Sequence, residues 1–268
     1  MRKLPTIIAA LALTSSSVQA EDRVRINIKD VQTDFGNLHL SVNLLGYELG
    51  SNSDGVMSSV QGLFELGESF MVRAHAAFPF LGAVGSAKNP VRIEAGIGWH
   101  LTSFDVETEA VTLSQDYTGD YVNTKYVNVP VLNRNSRGLG VGLMYRDQEA
   151  GVTIADDDDV TTRSKALTAY LGFHFLNSAG YDLAVEGYDS SFFNYRWLNG
   201  GLDVLFDVVH DYNQEPTDDP NRFGGRVWAE SIFGSVGGLS GRLEFGYMPG
   251  DVEWYFMASI GGGLHLGI

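Results

Sequence analysis

Six histidines, a run of four aspartates and one His-Asp pair are the residues of this 268-residue chain whose types and spacing could do chemistry. His39, His75, His100, His174 and His265 each sit among alternating residues, which invites a metal site or a proton relay. Two ligands on one extended strand should stand two residues apart, and no two of these histidines do. A polar hydrogen-bonded network is the reading their spacing favours, with no metal and no cofactor expected. Asp156-Asp157-Asp158-Asp159 lacks the alternating oxygen ligands, the Gly and the final Glu of an EF-hand loop. It reads as a solvated, self-repelling loop that binds divalent cations at most weakly.

His210-Asp211, followed by Glu215, Asp218 and Asp219, has the residue types of an acid that orients a histidine while the histidine activates water. A second strand of paired acids is missing. Ser231 has no histidine after it on its own strand, and the chain holds no Gly-x-Ser-x-Gly, Walker loop or His-Glu-x-x-His. The expectation is therefore a protein that is not an enzyme. A hydrolase with its site at His210 and Asp211 is the alternative.

Composition narrows the setting of these residues. Lys plus Arg number 18 against 33 Asp plus Glu, a formal charge of −15, so clustered cations for nucleic acid are lacking. Without cysteine there is no disulfide framework, zinc-thiolate site or thiol nucleophile. Glycine, at 32 residues, exceeds the usual share, while charged residues, at 19%, fall short of the roughly 25% of soluble domains. Met1-Arg2-Lys3, the apolar stretch Leu4 to Leu13 and the small residues ending at Ala20 read as a secretory signal peptide over 1–20. The remainder, 21–268, is expected to form a single domain.

The elements that must position the polar residues alternate with period two. Val72, Ala74, Ala76, Phe78 and Phe80 interleave with Arg73, His75, Ala77 and Pro79. Val91, Ile93, Ala95, Ile97, Trp99 and Leu101 interleave with Arg92, Glu94, Gly96, Gly98, His100 and Thr102. The same holds from Gly138 to Tyr145, from Leu167 to Phe175, and over the last residues from Glu253 to Ile268. Each is a strand with one apolar and one polar or small face. Val24, Ile26 and Ile28 suggest one further strand. Turn signals fall at Gly67 to Ser69, Asn133 to Ser136, Asn177 to Gly180, Asn199 to Gly201 and Gly237-Gly238. Longer acidic connections fall at 50–55, 114–120, 148–163 and 211–222.

Two all-β architectures alternate in this way, a soluble secreted β-sandwich that binds a partner and a closed membrane barrel. Strand length, aromatics gathered near strand ends and a polar phase rich in Arg, Glu and His favour the barrel. Taken with the signal cut and the amphipathic terminal strand, the chain resembles bacterial outer-membrane β-barrel proteins over nearly its whole length. It departs from them in ending on Ile268 rather than on an aromatic residue. The resemblance implies a transmembrane antiparallel up-and-down β-barrel of about 12–14 strands in the outer membrane of a Gram-negative bacterium. Its implied partners are outer-membrane lipid and lipopolysaccharide, with periplasmic chaperones and the barrel-assembly machinery during biogenesis. The polar phase then supplies lumen-lining candidates: Arg73, His75, Arg92, Glu94, His100, His174, Arg242, Glu244 and His265. The expected function is non-enzymatic, either a narrow, porin-like passive channel for small solutes or a structural surface protein. If the C-terminus is periplasmic, the turns at 133–136, 177–180, 199–201 and 234–238 belong to that side and the acidic connections to the outside.

Overall fold

The computed structural model describes residues 28–32, 37–50, 55–80, 91–118, 121–154, 157–187, 192–212, 221–234, 238–249 and 253–266. Among these there is no helix. The strands, in chain order, are β1 (Ile28–Gln32), β2 (Leu38–Gly50), β3 (Gly55–Leu66), β4 (Phe70–Pro79), β5 (Val91–Thr118), β6 (Tyr121–Ile154), β7 (Asp157–Val185), β8 (Phe192–Tyr212), β9 (Phe223–Phe233), β10 (Gly238–Met248) and β11 (Glu253–Leu266). From β2 to β11 each strand pairs antiparallel with the next, and β11 closes back on β2, with Phe256 opposite Leu49 and Leu264 opposite Leu40. The result is a ten-stranded up-and-down barrel without an open edge. The extra strand foreseen around Ile28 exists as β1, which pairs with the end of β7; Val24 and Ile26 lie outside the described residues, as do residues 1–20.

Ten strands replace the twelve to fourteen expected, and the difference has a side-chain cause. Asn133 to Ser136, Asn177 to Gly180 and Asn199 to Gly201 are not turns but continuous strand within β6, β7 and β8. Asn177 donates across the ladder to Asn133 Oδ1 at 2.9 Å and Asn135 Oδ1 at 2.6 Å, so the asparagines serve as cross-strand pairs. Gly200 and Gly201 are small because of what they face. A Cβ at Gly200 would stand 2.6 Å from the Phe175 ring, and one at Gly201 2.5 Å from the ring of His174.

The barrel has two unlike ends. The near end carries the end of β11, the turn at 66–70 with Gly67 at φ 69°, and the β5–β6, β7–β8 and β9–β10 turns. The far end carries the connections after β2, β4, β6, β8 and β10. The connection at 114–120 is therefore part of a hairpin on the near end, not an outer loop. That hairpin runs well past the barrel and bends back over β7 and β8. Arg196 and Asn194 of β8 reach Glu107 and Glu109 of β5 at 3.5 Å and 3.2 Å. Between the layers Val111, Leu113, Val127, Val129 and Val131 pack with Ala179, Tyr181, Leu183 and Val185. This small sandwich explains why long strands survive beyond the barrel wall.

Alternation sets the faces of the wall. Every barrel strand turns large apolar side chains outward, among them Leu45, Val60, Val72, Ile97, Val141, Leu171, Val204, Val227, Leu243 and Ile260, all exposed. Aromatics ring this belt at both ends. Phe70, Trp99 and Phe173 mark the near side, and Phe78, Tyr145, Phe206, Phe223, Phe245 and Trp254 the far side. Phe70 to Phe78 lies along one strand, about 27 Å at roughly 3.4 Å per residue. At a tilt near 40° that is about 20 Å of height, close to the ~25 Å apolar band of outer-membrane barrels.

Candidate functional site

The inward phase meets inside the barrel, where the sequence's candidates converge with partners that the sequence did not single out. β4 contributes Arg73 and His75, β5 contributes Arg92, Glu94 and His100, β7 contributes His174, and β10 contributes Arg242 and Glu244. All are buried. His265 lies on β11 opposite His39, and its side chain is outside the described residues. The unforeseen members are Arg226, Trp228 and Glu230 of β9, Asp203 of β8, Tyr170 of β7 and Tyr255 of β11.

Four guanidinium groups and four carboxylates balance one another. Arg226 forks onto Glu94 at 2.6 Å and 2.7 Å, and its Nε donates to Asp203 Oδ2 at 2.7 Å. Arg73 reaches the same two acids at 2.7 Å and 3.4 Å. Arg92 holds both oxygens of Glu244 at 2.6 Å. Arg242 lies between Glu244 at 2.7 Å and Glu230 at 3.1 Å. The remaining lone pairs are met as well. Asp203 accepts from Trp228 Nε1 at 3.0 Å and pairs with His174 Nε2 at 2.7 Å, Asn199 donates to Glu230 at 2.8 Å, and the Tyr255 hydroxyl donates to Glu244. Aromatic faces complete the cage, with Arg73 4.4 Å from the Trp228 ring centroid and Arg226 5.0 Å from that of Tyr170. Buried charge is tolerable only with pairing this extensive, and it leaves just a few donors, Arg73 Nη1 and Arg92 Nε among them, without a partner among the described residues.

Arg73–Glu94, Arg226–Asp203 and Arg242–Glu230 link neighbouring strands and Arg242–Glu244 lies within one, while other pairs cross from wall to wall. Arg92 and Glu244 sit on β5 and β10, which face each other across a ten-stranded ring. Arg226–Glu94 links β9 to β5, and Arg73–Asp203 links β4 to β8. Apolar layers lie on either side. Leu63, Met71, Leu176, Tyr195, Trp197 and Ile232 pack together on the near side, where Trp197 also stacks on His39 with centroids 5.0 Å apart. Met144, Tyr170, Leu205, Met248 and Tyr255 form the layer on the far side. Glycines give these groups their room. A Cβ at Gly140 would fall on the ring of His174, and one at Gly142 on the phenol of Tyr170.

His174 has Asp203 as the partner of Nε2 and leaves Nδ1 without one among the described residues. Both ring nitrogens of His75, and Nε2 of His100, have no hydrogen-bond partner among the described residues. Among those residues, no three His, Asp or Glu side chains converge as a metal-ligand set. The aspartate run at 156–159 lies outside the side chains described. At the far rim His210 and Asp211 do not act as a pair. Asp211 is exposed, while His210 Nδ1 meets Asp207 Oδ2 at 2.7 Å.

No protein-family model and no curated protein sequence matches the chain. Solved structures that overlap it include the CymD monoaromatic hydrocarbon channel, at 9% identity over 87% of this chain and 89% of that one, with a TM-score of 0.24. OmpT, an outer membrane protein of Vibrio cholerae, overlaps as its loop L8 deletion mutant at 10% identity, 86% and 100% coverage and a TM-score of 0.20. The same protein folded in vitro gives 9% identity, 87% and 98% coverage and 0.19. Such loose overlaps carry no inference, and the fold rests on this chain's own strand pairing.

Proposed function

We propose that the chain is an outer-membrane β-barrel with a filled lumen, a structural and surface protein that meets other molecules at its two ends. The observation that carries this reading is the inversion of the barrel, apolar outside and charged within. A water-soluble barrel would leave its belt of exposed Leu, Val, Ile and Phe facing solvent, far beyond the apolar patches of soluble monomers. In hydrocarbon the same belt is at home, and closure leaves no backbone group unpaired at the edges. Of the two non-enzymatic roles, conduction and structural or surface binding, the wall-to-wall ion pairs favour the second.

This reading carries its setting with it: a Gram-negative outer membrane, reached through a cleaved signal peptide and the assembly machinery, with lipid and lipopolysaccharide around the belt, supported by the outward apolar belt and by the composition of residues 1–20. Fractionation of expressing cells tests this reading. The protein should stay with the outer-membrane fraction through a carbonate wash; release into the soluble periplasmic fraction would contradict it.

A further inference from the structure

At the far rim three side chains form a hydrogen-bonded line that the lumen network does not use. Ser164 Oγ stands 2.8 Å from His210 Nε2, and His210 Nδ1 stands 2.7 Å from Asp207 Oδ2. Asp207 Oδ1 accepts from Thr168 Oγ1 at 2.6 Å, which fixes the carboxylate from its other side. Ionised, Asp207 can only accept, so it takes the Nδ1 proton of His210. Nε2 is then left to accept from the Ser164 hydroxyl. This is the order nucleophile, base, orienting acid.

A β-bulge makes the line. Along β8 the inward residues Asp203, Leu205 and Asp207 are odd-numbered, which would send His210 outward. The register shifts between Leu167, opposite Val209, and Thr168, opposite Asp207. Val208 is the extra residue, and beyond it the inward phase falls on His210. Val208 and Val209 are consequently both exposed on the outside, at 52% and 57%. Bulges of this kind re-aim side chains beside active sites. On the adjoining strand Arg146 faces inward opposite Ala166, one diagonal step from Ser164, and donates to the Pro249 carbonyl at 2.8 Å.

We propose that Ser164 and His210, positioned by Asp207, form a serine-hydrolase site at the far rim that cleaves the carboxylic ester of an acyl lipid. This goes beyond the barrel reading and rests on it, because the membrane delivers the substrate. Ser164 Oγ attacks the carbonyl carbon, the carbonyl π pair moves to oxygen, and the hydroxyl proton passes to His210 Nε2. Arg146 is the cation that meets the resulting oxyanion. Collapse breaks the bond to the alcohol, which leaves with the Nε2 proton, and Ser164 keeps the acyl group. Water then attacks with His210 as base, freeing the fatty acid and restoring the hydroxyl; water is the sole co-reactant. The lipid class follows from the wall outside the site, where Val208 and Val209 adjoin Phe206 and Phe223, their rings 5.3 Å apart. That surface would hold an acyl chain level with the rim.

The test is covalent labelling of the mature protein, residues 21–268, refolded in detergent micelles and treated with a fluorophosphonate probe. Heat-modifiable gel mobility reports the folded barrel separately. The expected result is a single adduct on Ser164, absent from Ser164→Ala and at least about a hundredfold slower in His210→Ala, the scale of a lost general base. Palmitoyl esters of p-nitrophenol in mixed micelles should be cleaved faster than butyryl esters. Asp207→Asn should lower kcat at unchanged KM and unchanged folded fraction, which a merely structural aspartate would not do. A folded barrel that takes no label, or labels equally after His210→Ala, overturns the site and leaves the barrel standing. Cleavage of short soluble esters or of peptides in preference to palmitoyl esters overturns the lipid assignment. A chain that yields no heat-modifiable form in any detergent or lipid contradicts the barrel reading and the site with it.

Discussion

Replacing Arg226 with leucine should lower the stability of the folded barrel by about 3–5 kcal/mol, the usual cost of removing one partner from a buried ion pair. Arg226 neutralises two acids at once, and its side chain and those of Glu94 and Asp203 are at most 2% exposed. Leucine would leave Arg73 as the one guanidinium paired with both carboxylates, the second of them 3.4 Å away and otherwise held by Trp228 and His174. A urea titration in lipid vesicles, followed by tryptophan fluorescence, measures the loss. Trp228 reports directly, since its indole donates to Asp203. The quadruple variant Arg73→Met, Arg226→Met, Glu94→Gln, Asp203→Asn removes two cations and their two anions together and should recover most of the stability, because neutral replacements of similar volume leave no orphaned charge. A single variant within about 1 kcal/mol of the parent would show that the cluster is hydrated and carries little of the barrel's cohesion.

Gly142→Leu should abolish the folded form. The glycine lies on β6 between Gly96 of β5 and Tyr170 of β7, and even a Cβ there would overlap the Tyr170 phenol and the Ala95 carbonyl. The phenol could swing aside; the carbonyl belongs to the wall and cannot. Overpacking in a tight core costs about 1–3 kcal/mol when side chains alone must yield, and here the backbone must move too. The folded fraction on a heat-modifiability gel after refolding should fall to near zero. Val141→Leu, one residue away on the outward face, should leave it unchanged. Normal folding of Gly142→Leu would mean that the lumen at this height is roomier than its glycines indicate.

The sequence carries the wall plainly and the lumen only in part. Alternation such as Arg92, Glu94 and His100 against Ile93, Ile97 and Trp99 depends on the two-residue period alone, so it marks both faces before any neighbour is known. Arg226 and Trp228 alternate with Val227 in the same way, and that signal was open to reading. Strand number was less legible because polar residues beyond the belt, such as Asn133, Asn135 and Asn177, have the composition of turns while acting as cross-strand pairs. Gly200 and Gly201 misled for another reason: they are small to make room for Phe175, His174 and Trp228, not to turn the chain. Least legible was the rim. Ser164 and His210 stand 46 residues apart, and the bulge that turns His210 inward follows from the register of β7 on β8. In the sequence, the neighbour of His210 is Asp211; in the fold, its acid is Asp207.

In the proposed reading, paired charge closes the lumen from wall to wall. Single-channel recording of the refolded protein, residues 21–268, in a planar bilayer tests it most directly, with heat-modifiable mobility confirming that the barrel is folded. A silent bilayer is the expected result. Discrete, reproducible conductance steps would contradict it, because current could then pass only if the Arg92–Glu244 and Arg226–Glu94 bridges stood open.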